Sequence, residues 1–195
     1  TRIIRAARYA ARLNFNLDPE SLMQIKSKIG LWPWNWIGSN LPNEAPPALS
    51  TRLSMELSLL FNKEPWVKAI TNLQEWGALS LLDERLQKDQ LWERRISLGN
   101  KLGTQLLTAF ISGAKDPCAL SQRLQLHNSQ INYLKQATDI KNYFLPIIES
   151  KEYLCWKPSR WCEEIEGKNW LPEAISLVIC IETPLKVPLL KWLKE

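Results

Sequence analysis

Apolar residues return every three or four positions along nearly the whole chain, and no segment alternates convincingly as a strand would. In TRIIRAARYAARL, Ile3, Ile4, Ala7, Ala10 and Ala11 fall on one side of a helical projection. Arg2, Arg5, Arg8 and Arg12 gather within about 120° on the other, with Tyr9 among them. NLDPESLMQIKSKIG predicts a second helix, with Asp18 to cap it, Pro19 at its first position and Gly30 to stop it. The period then breaks in LWPWNWIGSNLPNEAPPALS, where Pro33, Pro42, Pro46 and Pro47 predict an irregular or extended run. Its Trp32, Trp34 and Trp36 suit a plug between helical layers, with stacking on bases as the alternative.

Helical periodicity resumes in STRLSMELSLLF, with Leu53, Leu57 and Leu60 on one face and an Arg52–Glu56 pair expected on the other. KEPWVKAITNLQEWGAL predicts a helix starting near Pro65 and ending near Gly77. DQLWERRISLGNKLGTQLLTAFISG reads as one longer helix with Trp92, Ile96, Leu102, Leu106 and Phe110 inward. Gly99 and Gly103 allow it a kink or a close helix contact. Beyond it come DPCALSQRLQL, HNSQINYLKQATDIKNYF capped by Asn128 or Ser129, KPSRWCEEIEG, NWLPEAISLVICI and PLKVPLLKWLKE. The fold class expected is all-α, with short loops joining packed antiparallel helices.

Composition changes this picture little. A chain of 195 residues, 45% hydrophobic and 23% charged, is an ordinary globular protein long enough for one large core or two small ones. Its longest apolar candidate, AISLVICI, is far short of the roughly 20 residues needed to cross a bilayer. No basic-then-apolar leader is seen, and a first residue of Thr rather than Met reads as a fragment. Cys118, Cys155, Cys162 and Cys180 lack Cys-x-x-Cys spacing, and His127 is the lone histidine. Buried free thiols in the cytoplasm are expected, and no metal site. The net charge of +5 suits a polyanionic partner without requiring one.

Catalytic signatures are missing. There is no phosphate-cradling glycine loop, and any histidine-activated nucleophile would have to use His127. The nearest acidic groups, Asp83-Glu84 and Glu163-Glu164-Ile-Glu166, sit in helical or turn context, where acids more often complement the helix dipole than bind metal. The arginine stripe is left with two readings: a solvated charged face, or a surface shaped for phosphates or a base.

Two blocks resemble a known family. TRIIRAARYAARLNFNLDPESL is similar to the stretch of bacterial CCA-adding tRNA nucleotidyltransferases and their poly(A) polymerase relatives that reads E-D-x-x-R-x-x-R-A-x-R-F-A-x-x-L-x-F-x-[IL]-x-x-x-[ST]. Arg2 falls on the arginine of E-D-x-x-R, Arg5 and Arg8 on R-A-x-R, Tyr9 on the aromatic, and Phe15 and Leu17 on the apolar pair. LSTRLSMELSLLF resembles the helix S-x-x-R-[IL]-x-x-E-L-x-x-L-[LF] through Ser50, Arg52, Glu56 and Leu57, and EPWVKAITNLQEWGALSLLD is similar to the segment after it. The likeness covers roughly the first 85 residues and thins beyond them. It implies a neck at 1–62, a body at 63–113 and a tail at 114–195 that hold tRNA. The catalytic head, with its Mg²⁺-binding carboxylates, would lie upstream of Thr1, as would the Glu and Asp of E-D-x-x-R. On this resemblance the chain has no catalytic residue or metal of its own. Its partners are tRNA, the head, and ATP and CTP in the intact enzyme, without a membrane.

The resemblance gives Arg2 the role of nucleotide recognition. A guanidinium offers up to five donors and accepts nothing, so it meets the acceptor edge of cytosine and leaves the amino group to a carboxylate. Arg5, Arg8 and Arg12 are candidate RNA-binding residues through phosphates, or alternatively lock the neck to the head through carboxylates. The competing readings are a stand-alone RNA-binding protein and a helical interaction scaffold.

Overall fold

A computed structural model describes residues 1–30 and 47–194. Among them there are twelve α-helices, three short 3-10 turns and no strand, so the fold is all-α. The described chain forms two compact units. Thr1–Glu93 with Gly113–Leu126 make the first, and Arg94–Ser112 with His127–Glu195 the second. The expected loop with Trp32, Trp34 and Trp36 lies outside the described residues.

The first unit is built on α1 (Arg2–Leu13), α2 (Pro19–Gly30), α3 (Pro47–Lys63) and α4 (Trp66–Glu75). Helix α1 packs on both α3 and α4. Its alanine face makes this close approach possible: Ala7 and Ala10 are fully buried, and Leu57, Leu60, Ala69 and Ile70 are equally closed to water. Asn14 ends α1 in the left-handed conformation, at φ 54°, and Gly77 follows α4 at φ 76°. After a 3-10 turn at Ala78–Leu81 comes α5 (Glu84–Lys88), capped by Asp83, whose Oδ1 accepts from the backbone N–H of Arg85 at 2.8 Å. The same carboxylate accepts from the Lys115 N–H at 3.2 Å. This ties the segment carrying α8 (Pro117–Arg123) to the rest of the first unit. Asp83 is thus spent on backbone donors.

The expected long helix over residues 89–113 is two helices, α6 (Trp92–Lys101) and α7 (Leu106–Ile111). Gly103 stops the first at φ 76°, and the Thr104 N–H returns to the Gly99 carbonyl at 2.8 Å. Gly99 provides a close helix contact: a Cβ there would stand 2.7 Å from Ala109 Cβ. Leu102 and Leu106 are half-buried rather than core.

In the second unit α9 (Asn128–Glu149) packs on α11 (Pro172–Ile181), and α12 (Lys186–Trp192) on α10 (Pro158–Glu166) and α11. The cap of α9 is His127, one residue ahead of the expected pair. Its ring accepts from the Ser129 N–H while the Gln130 side chain returns to the His127 N–H. Phe144, fully buried, anchors an aromatic cluster. It stacks on Trp161 at 5.5 Å between centroids and meets Trp170 at 5.8 Å, and Trp156 lies 4.9 Å from Trp161. Glu164, one of the acidic candidates, accepts from the Tyr143 hydroxyl. The four cysteines form no disulfide; Cys155 is exposed and the others half-buried, so full burial of the thiols is not found.

Candidate nucleic-acid interface

The arginine face of α1 is neither wholly solvated nor wholly free. Arg5, Arg8 and Arg12 recur at the three- and four-residue spacing of one helical face, spanning about 10 Å of axis. Glu56 on α3 and Glu64, between α3 and α4, face them. Arg5 Nε donates to Glu56 Oε1 at 2.8 Å, and its Nη2 reaches the same oxygen. Arg8 bridges the two acids, giving Nη1 to Glu56 Oε2 at 2.5 Å and Nη2 to Glu64 Oε1 at 3.0 Å. Arg12 closes the row with Nε to Glu64 Oε2 at 2.8 Å.

Burial differs sharply along this ladder. The Glu64 side chain is 0% exposed and that of Arg8 8%, whereas Arg5 and Arg12 stay 58% and 47% open. Burial alone would raise the Glu56 carboxyl, but hydrogen bonds from Arg5 and Arg8 and their charges prevail and hold it below its ordinary value. The Arg12 hydrogen bond likewise lowers Glu64 against the opposing effect of burial, with Arg8 adding to it. Three guanidiniums against two carboxylates leave one positive charge in excess. Tyr9, exposed, has the Arg8 and Arg12 guanidiniums 5.9 Å and 5.5 Å from its ring centre.

Arg2 stands apart. It is exposed and, among the described residues, is the arginine of α1 without a carboxylate partner. The Arg52–Glu56 pair expected within α3 is not formed, because both Glu56 oxygens turn to α1. Glu64 was not singled out by the sequence. Its signal is the spacing of eight residues from Glu56, two helical turns on, with Pro65 directly after it. Among the described residues no group of three or more His, Cys, Asp or Glu side chains is placed to hold a metal ion, and no helix is long and apolar enough to cross a membrane.

The chain matches no protein-family model, no curated protein and no solved structure.

Proposed function

We propose that this chain is the RNA-holding, nucleotide-assisting portion of a template-independent nucleotidyltransferase that adds CCA, or part of it, to tRNA 3′ ends. One observation supports the reading above the others. The charged residues on which the two resembling blocks rest meet each other, Arg5 and Arg8 of the first on Glu56 of the second. Two chance likenesses 48 residues apart have no reason to be physical partners. In this reading Arg2 donates to the acceptor edge of an incoming cytosine, beside acceptors from residues ahead of Thr1. Arg5 and Arg12 turn their open guanidinium edges to RNA phosphates, and Arg8 fixes the helix from beneath. ATP and CTP are the substrates of the whole enzyme, Mg²⁺ belongs to its head, and its work lies in the cytoplasm.

The internal pairing of three arginines also favours a second reading, a helical scaffold whose cations serve only the fold. Titrating the chain with tRNA over a range of salt separates the two. A phosphate-tracking surface gives a log association constant that falls linearly with log salt, at a slope of about 0.9 per phosphate neutralised. No tRNA binding at low salt removes the enzyme reading and leaves the scaffold.

A further inference from the structure

The second unit carries a groove of about 770 Å³ that α1 and its arginines do not use. Tyr153, Trp156 and Trp192, all half-buried, face into it, with Trp161 as its buried back wall. Pro158, Pro184 and Pro188 with Leu154 and Val187 make up most of the remaining wall, so the groove is apolar with four aromatic rings. Lys191 lines the groove, and the Arg160 guanidinium sits 4.4 Å from the centre of the Trp156 ring, where it also pairs with Glu152 at 3.0 Å. Among the described residues that line it, Lys191 is the charged one.

An apolar groove this rich in aromatic rings gains most from a flat, polarisable occupant. A basic margin gains most from an anion attached to that occupant. We infer that the groove binds an unpaired nucleobase of single-stranded RNA, stacked against the ring-lined wall with its phosphate at Lys191. The aromatic faces read no base edge, so the site tolerates any sequence and favours purines through their larger area. A proline-rich peptide would also find rings to pack on, but it brings no phosphate to answer Lys191. The lysine on the groove wall therefore decides for RNA. This site is separate from α1 and holds whether or not Arg2 reads a nucleotide.

The test uses the whole chain with fluorescently labelled rA6 and rU6, a blunt RNA duplex as control and decaproline as competitor. Both hexamers bind at low salt, rA6 more tightly, and the duplex, whose bases are already stacked, binds weakly. Tyr153→Ala and Lys191→Glu each weaken hexamer binding by about fivefold or more. Lys191 is exposed, so its variant keeps the fold even if Tyr153→Ala does not. Cys162 lines the groove, and saturating rA6 slows its alkylation while Cys118, in the other unit, reacts at its free rate. Unchanged affinity of Lys191→Glu overturns the inference. So does undiminished alkylation of Cys162 under saturating rA6, or protection by decaproline and not by RNA. A chain that binds tRNA but neither hexamer loses the groove and keeps the α1 reading.

Discussion

The seam between α1 and α3 and the heart of the second unit are held by opposite means. At the seam, three guanidiniums grip two carboxylates in a fixed order, Arg5 and Arg8 on Glu56, Arg8 and Arg12 on Glu64. Shifting α1 by one residue would turn every one of these groups away from its partner. Around Phe144, by contrast, Trp156, Trp161 and Trp170 supply area without a directional bond between the rings. Charges taken out of water add little net stability but are costly to unpair. Aromatic burial is worth more and specifies less. The polar seam thus fixes where a helix end sits, and the aromatic heart supplies stability.

The comparison breaks first at its apolar side. Phe144→Ala removes a fully buried ring and leaves a cavity among tryptophans. Urea unfolding of the variant is expected to show a loss of about 3–5 kcal/mol. Arg8→Ala removes the central bridge while Glu56 and Glu64 keep one arginine each, so the loss is expected near the lower end for a broken buried pair, about 3 kcal/mol. A loss below about 1 kcal/mol would mean that the ladder does not hold α1.

Acid distinguishes the two regions with a smaller effect. The Glu56 and Glu64 carboxyls lie below their ordinary 4.5 in the folded chain. As the pH drops past about 4.5, the unfolded chain takes up these protons first, and stability falls through the folded values. Above about pH 5 both states are ionised and this contribution is fully present. Unfolding measured from pH 6 to pH 3 is therefore expected to show an acid-side slope that is shallower in Glu56→Gln/Glu64→Gln and retained in Phe144→Ala. An equal slope in the Gln variant would assign the acid loss to other carboxyls.

Local signals carried most of the fold. Pro19, Pro65, Pro117, Pro158 and Pro172 each stand at or beside a helix start, and Gly77 stands at a stop, because caps and breakers act within one turn. The break between α6 and α7 was hidden because a glycine inside an apolar period reads equally as a kink or a stop, and only the left-handed φ of Gly103 decides. His127 went unread as a cap because imidazoles seldom serve as one, although Gln130 three residues on was the capping-box signature. At the candidate site, the arginine row and Glu56 were legible from spacing. Their pairing was not, since contacts between residues 5 and 56 or 12 and 64 depend on how α1 and α3 pack. The groove at Tyr153 and Trp192 escaped for the same reason, its walls coming from segments about thirty residues apart.

The proposal rests most heavily on Arg2, exposed at the start of α1 and without a carboxylate partner among the described residues, as the group that reads a nucleotide. The full-length natural protein, supplied with Mg²⁺ and a tRNA lacking its CCA end, should add CMP far faster than UMP. Arg2→Ala should narrow that preference by about tenfold or more, while tRNA affinity and stability change little, the latter by about 0.5 kcal/mol at most. No nucleotide addition by the natural protein, or an unaltered CTP-over-UTP ratio in Arg2→Ala, would contradict the account.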